Sequence, residues 1–223
     1  MRRIYALLLA ALLTMGLSAC KSTSADDARD TDEQDVYLTL VNPTHKLPDN
    51  WLDLIELVCA KNSLGEEYLV EKETLAHFED LRAEVLKEEG IDIELDSAYR
   101  SVEEQQEIWD EFSKRYGDDV GKIVSEPGYS EHHTGLAVDV FIIDGDTVIR
   151  DNDDLFAAEE LFAKVHKHLS DYGFILSVLP GKEEVCGGLA YEPWHFRYVG
   201  VGPAREMAER GIVLEEYLGV VEE

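Results

Sequence analysis

Residues 130–149 read Ser-Glu-His-His-Thr-Gly-Leu-Ala-Val-Asp-Val-Phe-Ile-Ile-Asp-Gly-Asp-Thr-Val-Ile. Leu136 to Ile143 is a short apolar run rich in β-branched residues, which predicts a strand. Asp144-Gly145-Asp146 has hairpin-turn chemistry, and Thr147 to Ile149 returns as the partner strand. A hairpin implies antiparallel pairing. The same stretch carries chemistry, because a histidine doublet sits in a glycine-containing loop just before the strand. Asp139 lies inside the apolar run, where a carboxylate needs a cation or strong donors.

Upstream, Ile91, Ile93 and Leu95 alternate with Asp92, Glu94 and Asp96, which predicts a half-buried strand. An amphipathic helix over 71–89 precedes it, with Leu75, Phe78, Leu81, Val85 and Leu86 facing inward and Gly90 ending it. Ser97-Ala98-Tyr99-Arg100-Ser101 then turns strand into helix, with Ser101 and Glu104 forming a capping box and the helix running to about Tyr116. Arg100 thereby stands at the sheet edge, where a guanidinium can grip a carboxylate. Trp51, Leu54, Ile55 and Val58 have helical spacing and predict a helix over 50–60. Downstream, a helix capped by Asp153 or Asp154 should reach Tyr172 and close at Gly173. Strands are expected over 174–179 and 194–199, and Gly202-Pro203 should open a final helix. Interspersed helices and strands with a hairpin give an α+β fold, a small and mainly antiparallel sheet with flanking helices.

The chain has 223 residues, 48 acidic against 20 basic, for a net charge of −28. With 45% hydrophobic residues it can build a core, so global disorder is excluded. So acidic a surface argues against nucleic acid as a partner. Arg2 and Arg3 precede an apolar stretch from Ile4 to Ala19, the pattern of a signal peptide. It ends Leu17-Ser18-Ala19-Cys20, which resembles a bacterial lipobox, with cleavage before Cys20 and a diacylglyceryl anchor on its thiol. That cleavage removes Arg2 and Arg3 and no acid, taking −28 to −30. Residues 1–19 are therefore read as signal peptide and 20–35 as a polar, lipidated tether. The folded domain is expected over 36–223, with the protein held outside the cytoplasm on a bacterial membrane. Cys59 and Cys186 are read as buried thiols, with a disulfide between them left open.

A second chemical segment is Tyr191-Glu192-Pro193-Trp194-His195, where an acid stands three residues before a histidine. Two imidazoles and one carboxylate make a three-ligand zinc set that leaves the fourth position to water. A further glutamate can take the proton from that water, whose pKa the metal lowers to about 7. His45, His77, His133, His166 and His168 are read as surface or satisfied core residues.

These segments together resemble the VanY-like D-alanyl-D-alanine carboxypeptidases, zinc peptidases that trim peptidoglycan stem peptides. The resemblance runs from about Leu38 to Val201. It is carried by Leu40-Val41-Asn42 with Leu47-Pro48, by 97–101 with Gln105, by Ser130-Glu131-His132 with Gly135, Ala137 and Asp139, and by 191–200. It implies Zn2+ held by His132, Asp139 and His195 at the sheet face, with His132 selected from the doublet by the family pattern. It also implies Glu192 as catalytic base, and Arg100, Gln105 and Ser130 on the substrate side. The implied reaction releases a terminal D-amino acid, D-Ala, from a stem peptide; separately, the protein is expected to be a monomer. An L,D-carboxypeptidase, an endopeptidase or a non-catalytic binder of wall fragments is the alternative. Two positions depart from the family pattern. Ala98 replaces a glycine, and Ser177-Val178 replaces an Arg-Tyr pair that would have lined the cleft.

Overall fold

The computed structural model describes residues 36–221. The signal peptide and tether read from the sequence lie outside the described residues. In chain order the elements are β1 (Leu57–Lys61), β2 (Glu67–Glu71), α1 (Lys72–Glu89), β3 (Ile91–Ser97), α2 (Val102–Tyr116), β4 (Ala137–Asp144) and β5 (Thr147–Ile149). There follow α3 (Asn152–Ala157), α4 (Glu159–Leu169), β6 (Phe174–Leu176), β7 (His195–Tyr198), α5 (Val201–Arg210) and α6 (Leu214–Tyr217). The main sheet runs β3-β4-β7-β6, with β5 paired to the far end of β4, and every pairing is antiparallel. β1 and β2 form a separate hairpin.

Strand alternation divides the labour between the two faces of the sheet. Ile91, Ile93 and Leu95 of β3, Val138, Val140 and Ile142 of β4, and Phe196 and Tyr198 of β7 point into one core. Phe78, Leu81 and Val85 of α1 and Phe162, Val165 and Leu169 of α4 cover that face. The other face is left for chemistry. There Ser97, Asp139 and His195 stand abreast on β3, β4 and β7, as the pairings Ser97↔Asp139 and Asp139↔His195 require. The β3–β4 register shifts between Leu95 and Ser97, and this irregularity is what brings Ser97, rather than Asp96, opposite Asp139.

The Ser101 capping box is present, with Ser101 Oγ accepting from Glu104 N–H and the Glu104 side chain accepting from Ser101 N–H. Helix α1 begins at Lys72, its first turn capped by the Glu71 carboxylate. Other expectations are corrected. The helix over 50–60 is a single 3-10 turn, Trp51–Asp53, followed by strand β1. Its spacing was shared between two elements: Trp51 is buried by donating to Thr134 O (2.9 Å), while Val58 pairs with Val70. The helix expected to reach Tyr172 is broken at Ala158, and its cap is Asp151. The strand over 174–179 stops at Leu176, and the final helix starts at Val201 with α6 beyond it. Cys59 is exposed, because on strand β1 it points away from the side that buries Ala60, and Cys186 is buried. Both thiols are free.

Candidate active site

Asp139 and His195 meet because β4 and β7 pair them directly. His132 comes from a 3-10 turn, Glu131–Thr134, that feeds into β4. Ser130 Oγ caps this turn by accepting from His132 N–H at 3.3 Å. Gly135 ends it with φ +71, where an added Cβ would sit 2.7 Å from Leu57 Cδ2 and 3.3 Å from Glu71 N. His132 Nε2 lies 3.1 Å from Asp139 Oδ2, and His195 Nδ1 lies 2.8 Å from Asp139 Oδ1. One donor atom from each of the three lies within 4.8 Å of the others.

The remaining ring nitrogens decide what this cluster can hold. His132 Nδ1 is 2.7 Å from Ala98 O, an acceptor only, so that nitrogen carries the proton. His195 Nε2 donates to Glu131 Oε2 at 3.0 Å. In neutral rings the other two nitrogens then turn bare lone pairs toward the Asp139 carboxylate. Such an arrangement is repulsive unless a cation or a proton lies between. Burial opposes a charge on His195, yet its hydrogen bonds to Asp139 and Glu131 raise it to about 10. Burial likewise pushes the Asp139 carboxyl up, but His132 and His195 hold it far below the usual range. Two imidazole nitrogens and a carboxylate, each with its outer partner in place, fit a zinc ion.

Glu192 sits on the turn that leads into β7, where His195 N–H donates to Glu192 O at 3.3 Å. Burial and the neighbouring Asp139 push its carboxyl up to about 7. His166 of α4 supports the turn from behind, its Nε2 donating to Pro193 O at 2.8 Å. Arg100 is held at the sheet edge by Gln105 Oε1 and Ser97 Oγ, each 2.9 Å away, and its Nη2 is 4.0 Å from Asp139 Oδ2. His133 fixes the same loop, donating from Nδ1 to Arg100 O (2.7 Å) and accepting Gly128 N–H at Nε2 (3.0 Å). Arg100, Gln105 and Glu192 open, with His132, Asp139 and His195, on a cleft of about 340 Å³. Among the described residues lining it, Arg100 is the one Arg or Lys side chain.

All seven sequence-selected residues line this cleft. Gln105 and Ser130 do so with polar atoms already engaged: Gln105 bridges Arg100 and Ser125 O (2.6 Å), and Ser130 caps the ligand turn. Ser177 also lines the cleft, and its hydroxyl donates to Glu131 Oε2. Val178 is buried in a small apolar cluster with Cys186 and Val213. Sequence reasoning missed Glu131 and Arg197. Glu131 accepts from His195, Ser177 and Arg197 (Nη1 to Oε1, 3.0 Å), and although burial opposes the charge its carboxyl is held at about 2. One signal was available: Arg197 stands in an apolar strand, Phe196-Arg197-Tyr198-Val199, and a cation buried there requires an acid.

The sequence matches the family VanY, D-alanyl-D-alanine carboxypeptidase, over residues 67–201. It is 36% identical over 189 residues to the bifunctional D-Ala-D-Ala dipeptidase and D-Ala-D-Ala carboxypeptidase VanXYC of Enterococcus gallinarum, covering 81% of this chain and 92% of that protein. It is 32% identical over 209 residues to a D-alanyl-D-alanine carboxypeptidase of Enterococcus faecalis, covering 89% and 71%. Among solved structures, a point mutant of the vancomycin resistance D,D-pentapeptidase VanY in complex with Zn(II) superposes with a TM-score of 0.65 at 30% identity, over 82% of this chain and 99% of that one. The LD-carboxypeptidase LdcB superposes with a TM-score of 0.70 at 30% identity, over 83% and 87%.

Proposed function

The chain belongs to the VanY family of D-alanyl-D-alanine carboxypeptidases and is a zinc metallopeptidase; from that premise we propose which residues act and on what. The substrate is a peptidoglycan stem peptide, and the product released is its terminal D-alanine. His132 Nε2, Asp139 and His195 Nδ1 would hold the zinc. When bound, the metal polarises a carbonyl and lowers the pKa of a water beside it.

Glu192 takes a proton from the attacking water and hands it to the leaving amine nitrogen. A carboxyl pushed up to about 7 is suited to both halves of that exchange near neutral pH. Arg100 grips the substrate carboxylate through its remaining guanidinium N–H groups, while Gln105 on Nη1 and Ser97 on Nη2 fix the plane of the fork. Gln105 and Ser130 act on the substrate indirectly, through Arg100 and His132. The observation that carries this reading is the pairing of Asp139 with His195 beside His132, with a raised Glu192 on the same cleft.

Cleavage of an L,D bond is a second reading, favoured by the likeness to LdcB. The protein is further proposed to act as a monomer, anchored outside the cytoplasm by lipid on Cys20. Metal analysis of the purified protein, then incubation with penta- and tetrapeptide stems and mass spectrometry, tests the activity. Zinc with loss of one alanine from the pentapeptide supports D,D cleavage. Loss from the tetrapeptide alone supports L,D cleavage. Intact peptides with bound zinc overturn the enzyme.

A further inference from the structure

The N-terminal arm of the domain reaches the metal site through three linked, largely buried contacts, arm to Arg197, Arg197 to Glu131 and Glu131 to His195. Arg197 is fully buried, and its Nη2 donates to two backbone carbonyls of that arm, Tyr37 O at 3.2 Å and Thr39 O at 2.8 Å. Its Nε is engaged by Tyr198 O at 3.1 Å, so the guanidinium plane is fixed from both sides. From that plane Nη1 donates to Glu131 Oε1 at 3.0 Å. The other carboxylate oxygen, Oε2, accepts from His195 Nε2 at 3.0 Å and from the Ser177 hydroxyl. Each carboxylate oxygen thus has its own fixed donor set, and the carboxylate cannot rotate without breaking one of them. A buried Arg–carboxylate pair is a poor source of net stability, because desolvation offsets its attraction. A positioning role accounts better for so many directed bonds at this point.

We infer that Glu131 is a positioning residue that keeps His195 in the tautomer presenting Nδ1 to the metal, and that the arm sets Glu131 through Arg197. Metal and arm are then thermodynamically coupled: a bound zinc that favours the ordered His195–Glu131–Arg197 row also favours the docked arm, and the converse holds equally. The inference rests on His195 being a zinc ligand, which loss of zinc in His195→Ala tests separately. Removing an outer-sphere partner of a metal-bound imidazole weakens metal affinity by about 10–100-fold.

Two measurements on the full chain decide it. The first is zinc affinity by chelator competition, and the visible spectrum of the cobalt-substituted protein, for wild type, Glu131→Gln and the double variant Glu131→Gln/Arg197→Met. A purely structural ion pair predicts that removing both charges restores wild-type zinc affinity and spectrum. The positioning role predicts that the double variant, once shown to be folded by circular dichroism, still binds zinc about tenfold or more weakly with an altered cobalt spectrum. The second needs no variant: amide hydrogen exchange over residues 36–41 with and without zinc. Slower exchange with zinc supports the coupling. Wild-type zinc affinity in the double variant, or arm exchange indifferent to zinc, would overturn it.

Discussion

At the scale of the residue, charge in an apolar setting is what betrays the site. Asp139 was legible because Ala137, Val138, Val140 and Phe141 surround it, and Glu192–His195 because their spacing suits zinc chemistry. Glu131 was not, since beside a histidine doublet in a loop an acid reads as solvated, and its partners lie 46 to 66 residues away. Ser177, which stands where the family pattern has an arginine, is a hydrogen-bond donor to that same glutamate. Two predictions belong here. Glu192→Gln keeps the carbonyl oxygen but cannot take a proton, so zinc content should be unchanged while turnover falls by about two orders of magnitude or more. A variant with wild-type turnover would remove Glu192 as the base. Arg100→Lys keeps the charge but loses the planar fork that Gln105 and Ser97 orient. Its kcat/KM on a free-acid stem peptide should drop about tenfold or more, the worth of one or two charge-assisted hydrogen bonds. Steady-state kinetics on the two proteins gives the answer, and equal values would place the carboxylate elsewhere.

At the scale of the element, the signals that held were those with a mechanism behind them. The Asp144-Gly145-Asp146 hairpin and the Ser101 capping box are both present as read. Apolar spacing alone was weaker. Residues 50–60 mixed a buried Trp51 held by Thr134 with a strand held by its pairing to β2, and four apolar residues cannot separate those cases. The β3 irregularity at Asp96 had no sequence signature either, though it sets which side chain faces Asp139. The Ser101 cap offers a clean test, because it starts the helix that carries Gln105 and closes the loop that carries Arg100. Ser101→Ala should cost about 1 kcal/mol, or about 2–4 °C in Tm for a domain of this size. Thermal unfolding measures it, and an unchanged Tm would mean that the helix start is held by other contacts.

At the scale of the whole molecule, the sheet is a partition. One face is sealed by α1 and α4 and supplies the stability, so the other can carry ionisable groups that a core would reject. Arg100 is the fixed cation on a cleft otherwise rich in acid, in a chain carrying −28. Such a cleft favours a substrate that brings one carboxylate to one place. If the proposed lipid tether is distinct from the domain, Cys20→Ser should move the protein from the membrane to the soluble fraction with activity on soluble peptides intact. Fractionation and a peptide assay check both, and membrane retention of a processed Cys20→Ser protein would count against the lipid anchor.

The central claim is that this is a zinc-dependent enzyme reading a free peptide terminus. The most direct measurement compares one D-alanine-terminated stem peptide as free acid and as terminal amide, each incubated with zinc-loaded and chelator-treated protein and followed by mass spectrometry. The account predicts loss of a single alanine from the free acid by the zinc-loaded protein, with the amide cut far more slowly and no cleavage after chelation. Equal cleavage of acid and amide, or cleavage that survives complete removal of the metal, would contradict it.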